Sequence, residues 1–296
     1  MLGTQLQLAV GIATRGRPGI LMDTLRILRM QTRLPDAIIV AYTEVFDIGT
    51  GPSDFPEVTF LHSAPGLTRQ RNAVIEQLGN YDILTFLDDD FWLTPDYLSI
   101  VESTLDRCAS VVLITGTVIA DGINGPGLEP AEAQMMLAAA RPTSSKVTSH
   151  VVFNAYGCNM TMRLAAVHTH HLRFDEQLPL YGWYEDVDFS RQLAVYGEVI
   201  HLDQAYGVHL GVKSGRQSGY RLGYSQVANP IYLARKGSVG WTYAVTSMTS
   251  RCLKNLVLSL RPEPLIDRRG RLQGNGLALR DLFCGALHPT RILQLL

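Results

Sequence analysis

Three consecutive carboxylates, Asp88, Asp89 and Asp90, follow directly on the apolar run Ile83-Leu84-Thr85-Phe86-Leu87. A short run so rich in β-formers reads as a buried central strand. Ligands of open α/β sheets bind outside the carboxyl ends of such strands. A single strand-ending Asp often does no more than cap a turn. Three in succession repel one another strongly enough to call for a cation. Oxygen ligands shared with substrate phosphates suit Mg²⁺ or Mn²⁺. Thr94-Pro95, just beyond, predicts a helix start with Thr at the N-cap and Pro at the first helical position.

A second acidic group, Glu185, Asp186 and Asp188, follows Trp183-Tyr184. Phe189, Leu193 and Tyr196 recur at helical spacing, so these acids fall in a first helical turn. The macrodipole alone favours acids there, by about 0.3–1 kcal/mol. The two aromatics add a platform for a sugar ring, or a desolvated pocket that raises a carboxylate's basicity. A third set is basic: Lys213 and Arg216 in GVKSGR, with His209 just before. Glycines let backbone amides approach a phosphate, and mobile cations neutralise a diphosphate leaving group. A solvated loop would have the same composition. Arg69 and Arg71-Asn72, opening a helix after Pro65-Gly66, either face phosphate at a helix N-terminus or lie exposed on an ordinary helix. Taken together, these groups suit displacement of a nucleoside diphosphate from a sugar. Metal and cations stabilise the leaving group, and the second carboxylate deprotonates an incoming hydroxyl.

The elements that must position these residues alternate. Strands are predicted at 6–13, 37–42, 57–61, 83–88 and 109–120, with helices at 18–31 and 67–78 and a loop at 44–55. Short connections in a β-α-β-β-α-β-α order predict an α/β fold with a mixed, mostly parallel sheet flanked by helices. Later come a loop at 121–130, a helix at 131–140, strand and turn into a short helix over 150–154 and 158–163, a strand near 199–202, and a glycine-rich basic loop from 207. Helices at 220–235, 241–260 and 277–287 form a C-terminal extension, interrupted by a basic turn at 267–271.

Composition narrows the class. The chain has 296 residues, 46% hydrophobic and 18% charged, an ordinary globular balance near the upper size for one core. A net charge of −1 without a basic tail argues against a nucleic-acid binder. Cys108, Cys158, Cys252 and Cys284 are scattered with no CxxC, which suits reduced thiols in a cytoplasm. The N-terminal stretch is too polar for a secretory signal. No window offers about twenty uninterrupted apolar residues.

The ordered segments TRGRP (14–18), GLTRQRNAVI (66–75), LTFLDDDF (84–91), YGCNMTMR (156–163) and GWYEDVDFSRQL (182–193) resemble glycosyltransferase family 2, the inverting GT-A enzymes. The resemblance covers about residues 6–215. The tail, 219–237 and 272–292, looks like that of bacterial members that build surface polysaccharides. It implies a Rossmann-like GT-A domain at 1–218 and a helical region at 219–296. By this resemblance Asp186 is the catalytic base, with Trp183 and Glu185 on the acceptor side. Asp88 and Asp90 match the DxD acids, the first near ribose or sugar hydroxyls, the last on the metal, with Asp89 between them in the donor site. His209 falls where a further metal ligand is expected. Thr14, Arg17 and Arg69 match positions facing the nucleotide and diphosphate. Family members commonly carry an acid after the second strand that reads the nucleobase. Here Thr43 or Glu44 stands in that place, which leaves open the base: a UDP-sugar is favoured, with dTDP or GDP as alternatives. The cofactor implied is Mn²⁺ or Mg²⁺, and the acceptor a saccharide or a lipid-linked one.

Two other functions fit parts of the pattern. A sugar-nucleotide nucleotidyltransferase also holds Mg²⁺ at strand ends, but 11–19 lacks the glycine spacing of its phosphate loop. A non-catalytic sugar-nucleotide scaffold would have no need of Asp186. The basic turn and the apolar end Ile292-Leu293 further predict that the C-terminal helices touch an anionic membrane, on the inner face of the cytoplasmic membrane, or a partner subunit. Simple packing on the catalytic domain would account for them equally.

Overall fold

The structure, a computed structural model, describes residues 5–140, 147–213 and 218–295. The chain divides into two compact units: 1–65, 69–173 and 192–215 form the first, and 66–68, 174–191 and 216–296 the second.

Among the described residues the first unit holds one nine-stranded mixed sheet: β1 (Leu8–Ala13), β2 (Ala37–Tyr42), β3 (Val58–His62), β4 (Ile83–Asp88), β5 (Phe91–Leu93), β6 (Val111–Asp121), β7 (Ser149–Val151), β8 (Asn159–Arg163) and β9 (Glu198–His209). Its order is β3-β2-β1-β4-β8-β6-β9-β5, with β7 also pairing β9. The first four run parallel, and β8 is inserted antiparallel between β4 and β6. The sequences of β1 and β4 are almost wholly apolar because both faces are covered. Gly11 in β1 is dictated by contact, since a Cβ there would come within 2.8 Å of Phe86 and Val74 side-chain carbons. Flanking helices are α1 (Pro18–Leu28), α2 (Gly51–Asp54), α3 (Leu67–Glu76), α4 (Tyr97–Arg107), α5 (Pro130–Ala139) and α6 (Leu164–Thr169).

Three local expectations change. The helix after the aspartates starts at Tyr97 and not at Thr94-Pro95. Residues 91–93 are captured as β5 by antiparallel pairing with 207–209, and Thr94 bonds the Tyr206 carbonyl. The segment 44–55 contains a 3₁₀ turn, Val45–Ile48, and α2. Strand β9 runs to His209, through residues assigned from composition to a loop. Cross-strand hydrogen bonding to β5 and β6 supports Gly207 where intrinsic propensity would not.

The second unit contains α7 (Glu185–Leu193, through Arg191), α8 (Gly219–Lys236), α9 (Trp241–Leu258) and α10 (Arg268–Phe283). Ser218 caps α8 by accepting from the Arg221 N–H, and Gly237 ends it at φ +89°. The predicted basic turn is instead the first turn of α10, whose Asp267 N-cap accepts from the Gly270 N–H. Arg268 is buried and paired with Glu263. A glycine-rich, polar segment is a poor helix by itself; tertiary contact rescues it. Gly223 and Gly274 let the backbones of α8 and α10 touch, because a Cβ on either would meet the Arg271 or Tyr220 carbonyl oxygen. Asn255 donates to Gln226 and Asn275, and Arg268 to Asn255, so this buried polar layer is hydrogen-bonded. Among the described residues no helix is long and apolar enough to cross a membrane.

Candidate active site

Asp88 closes β4, Asp90 follows two residues later and His209 closes β9. The β5–β9 pairing brings them together: it sets Phe91 opposite His209 and donates the Leu210 N–H to the Asp90 carbonyl. His209 Nε2 lies 3.4 Å from Asp90 Oδ1 and 3.8 Å from Asp88 Oδ2. Each of the three side chains has its other polar atom engaged elsewhere. Asp88 Oδ1 faces Arg71 at 3.4 Å. Asp90 Oδ2 accepts from the Val212 N–H at 2.8 Å and from Arg17 at 3.2 Å. His209 Nδ1 lies 3.0 Å from Asp121 Oδ1, whose partner oxygen accepts from the Tyr156 hydroxyl. One oxygen of each Asp and one ring nitrogen therefore point at a common space. Two hard oxygens and an imidazole fit Mn²⁺ or Mg²⁺. The Asp121–His209 pair is the outer-shell arrangement that orients a ligating histidine.

The charges of this cluster are strongly coupled. Burial alone would lower the His209 pKa, but hydrogen bonds to Asp121 and Asp90 and the charges of Asp90 and Asp88 raise it to about 10. Burial raises Asp90, yet His209, Arg17 and the Val212 N–H hold it down at about 2. Asp89 is raised to about 7 by burial, with Asp90 and Asp88 adding to the rise, against the opposing charge of Arg17 and the Thr14 hydrogen bond. In Asp88 too burial prevails, over Arg71 and His209.

The remaining expected donor-site residues take different positions. Thr14 is buried and donates to Asp89 Oδ2 at 2.7 Å. Arg17 pairs with Asp89 and Asp90. Asp89 is 0% exposed, and its carboxylate engages the Thr14 hydroxyl and the Arg17 guanidinium. Thr43 is buried and its hydroxyl donates to Asp47 at 2.9 Å. Arg69 lies exposed on α3, and the deeply buried arginine of that helix is Arg71, which donates to the Gly157 carbonyl at 2.7 Å. Lys213 Nζ donates to the Gly122 and Ile123 carbonyls, both at 2.9 Å. Arg216 lies outside the described residues.

Sequence reasoning missed Asp121, Tyr156 and Asp47. Asp47 accepts from the Gly16, Thr43 and Glu44 N–H groups and so ties the loop after β1 to the end of β2. An Asp four residues after Thr43 is a recognisable turn signal. No local signal marked Asp121, which reaches His209 across 88 residues of chain.

In the second unit, Asp186 and Glu185 open α7. Asp186 is partly exposed, with Oδ1 accepting from the Val187 N–H at 2.8 Å, and Glu185 is buried. Immediately before them Leu180, Gly182 and Tyr184 all have positive φ, +61°, +66° and +71°. Such backbone is costly for a bulky residue and is held by its surroundings. The Tyr184 hydroxyl meets that of Ser247, and Asn229 donates to the Trp183 carbonyl at 2.7 Å. The Trp183 ring lies 5.7 Å from the Arg251 guanidinium. Asp188 is fully buried and bound by Lys236 at 2.7 Å.

No known family model matches the chain, and no curated protein sequence matches it. Solved structures do. S. aureus TarS 1–349 in complex with UDP-GlcNAc superposes with a TM-score of 0.56 at 14% identity, covering 97% of this chain and 83% of that one. The crystal structure of GalNAc-T7 with UDP, GalNAc and Mn²⁺ gives 0.60 at 13%, covering 96% and 59%. The mannosyltransferase PcManGT from Pyrobaculum calidifontis, in complex with GDP-Man and Mn²⁺, gives 0.56 at 12%, covering 98% and 86%. In another TarS structure the matched region is only 40% of that chain's length. At these identities the likeness establishes the fold: GT-A.

Proposed function

We propose, on the premise of a GT-A fold, that this chain is a metal-dependent inverting glycosyltransferase. It moves a sugar from a nucleoside-diphosphate donor, a UDP-sugar by preference, to a hydroxyl of a saccharide or lipid-linked acceptor in surface polysaccharide synthesis. The observation that carries this reading is the convergence of Asp88, Asp90 and His209, each held by a further contact, at the carboxyl ends of β4 and β9. These residues would hold Mn²⁺ or Mg²⁺, which when bound supplies positive charge to the departing diphosphate. Arg17, Lys213, Arg216 and Arg69 add positive charge to the donor site, and Thr14, Thr43, Asp88 and Asp89 form its nucleotide-sugar side. Asp186 accepts the proton of the attacking hydroxyl, with Trp183 and Glu185 lining the acceptor. Support for that assignment comes from the left-handed residues before α7, since strain of this kind gathers at functional sites.

Residues 1–218 form the catalytic portion in this reading and 219–296 the helical region, which touches the inner face of the cytoplasmic membrane. Leu253, Leu256, Val257 and Leu260, exposed beside Arg251, Lys254 and Arg261, support that contact; the buried Arg268 does not. The test is a panel of sugar nucleotides with Mn²⁺, reading thermal shift and release of nucleoside diphosphate. Asp90→Ala should lose donor-dependent stabilisation and turnover, and Asp186→Asn turnover alone. If no nucleoside diphosphate shifts the wild-type melting temperature in Mn²⁺, the proposal is wrong.

A further inference from the structure

A second constellation lies on β7 and β9 and shares no residue with the cluster just described. His150 and His201 are direct cross-strand partners in the antiparallel β7–β9 pair, and Asp203 follows His201 by two residues on the same strand. Alternation along a strand puts residues two apart on one face, so the backbone itself groups the three side chains. Asp203 Oδ1 is 3.2 Å from His201 Nδ1 and 3.5 Å from His150 Nδ1, and the two rings lie 4.9 Å apart between centroids. Ligands at 2.0–2.1 Å from a tetrahedral Zn²⁺ are separated by about 3.3 Å.

Neighbouring hydrogen bonds hold two of these side chains in place. The Thr117 hydroxyl has one proton, and the Asp203 and Leu202 carbonyls at 3.1 and 3.3 Å can only accept it. His201 Nε2 lies 3.4 Å from the same hydroxyl, which holds that side of the ring. On its other side Nδ1 lies 3.2 Å from Asp203 Oδ1, a separation that a ring proton or a shared metal ion can bridge. The other Asp203 oxygen accepts from the Thr148 hydroxyl at 2.7 Å, which fixes the carboxylate. Both His201 and Asp203 thus have the outer-shell partners of a metal ligand. His150 and Asp203 are 61% and 43% exposed in their side chains, so an ion can enter with a water as fourth ligand.

We propose that His150, His201 and Asp203 form a transition-metal site of Zn²⁺ type. Two imidazoles and one carboxylate favour Zn²⁺, and Co²⁺ as its probe, over the harder Mn²⁺ and Mg²⁺ that the aspartate-rich cluster suits. All three residues of β7 are exposed, and that strand has no apolar anchor of its own. A bound ion would therefore staple it to β9.

The experiment is a titration of the full chain with Zn²⁺, read by calorimetry, and with Co²⁺, read by visible absorption. In the Asp90→Asn background, which disables the other cluster, one equivalent of Zn²⁺ and an intense tetrahedral Co²⁺ spectrum are expected. Adding His150→Ala or His201→Asn should abolish both, and Thr117→Val should weaken Zn²⁺ by about tenfold or more. In an otherwise wild-type chain His150→Ala should leave Mn²⁺ affinity within about twofold, since distant sites are independent. Its melting curve in EDTA should match that of wild type, which separates loss of a ligand from loss of fold. Absence of Zn²⁺ uptake in the Asp90→Asn chain, or a Co²⁺ spectrum indifferent to His150→Ala and His201→Asn, would overturn the site.

Discussion

His209 Nδ1 stands 3.0 Å from Asp121 Oδ1, and that contact turns the opposite nitrogen of the ring towards Asp88 and Asp90. Losing such a partner typically costs 10–100-fold in metal affinity, so Asp121→Ala should weaken Mn²⁺ binding by about that factor. Calorimetric titration of Mn²⁺ into wild type and variant decides it. Equal affinities would take His209 out of the ligand set.

A pH dependence follows, with opposite signs for stability and for metal binding. Despite the burial that lowers it, His209 is raised to about 10 in the metal-free chain by Asp121, Asp90 and Asp88. A raised pKa gives stability that is full below the unfolded value, about 6.5, and is lost as pH climbs through the folded one. A metal needs the neutral nitrogen, so Mn²⁺ affinity should instead rise about tenfold per pH unit while the proton is being displaced. Melting curves in EDTA and Mn²⁺ titrations at about pH 7, 8 and 9 cover this window. Metal affinity that ignores pH would contradict the arrangement.

Asp47 is a buried carboxylate whose pKa is pushed up by burial but brought below the ordinary range by the Glu44, Gly16 and Thr43 N–H groups. Asp47→Ala strands those donors at the mouth of β1 and β2, at a cost of about 2–4 kcal/mol. Urea unfolding measures this, and the difference from wild type should shrink as pH falls below about 4, where the native carboxylate also becomes protonated.

Two glycines of α10 should respond in opposite directions. A Cβ on Gly274 would strike the Tyr220 carbonyl of α8, whereas one on Gly276 meets open space. Gly274→Ala is expected to destabilise by about 1–3 kcal/mol through overpacking. Gly276→Ala should stabilise by about 0.5–1 kcal/mol through lower chain entropy. Thermal denaturation of the pair compares them directly, and the same shift in both would mean that α8 and α10 do not touch as described.

Strands β1, β2 and β4 were legible because an uninterrupted apolar run of that length has few other fates, and α8 because Ser218 and Gly237 bracket it. The first half of α10 was not, because Gly270, Gly274 and Gly276 read as breakers until another helix is laid against them. The end of β9 failed in the same way: Gly207-Val208-His209 becomes strand only when β5 and β6 supply hydrogen-bonding partners. Among the chemical groups, the aspartate triplet announced itself by repulsion alone, whereas the Asp121 partner of His209 had no local mark.

By itself, then, the order of amino acids determined the α/β alternation, the place of the acids at a strand end and the residue types available for a cation. Those properties depend on periodicity, charge and capping within a few neighbours. Which oxygens of Asp88 and Asp90 turn inward, and which nitrogen of His209 they face, was decided only by the tertiary structure. Cross-strand register joins residues some 90 to 120 apart, and no local interaction carries that information.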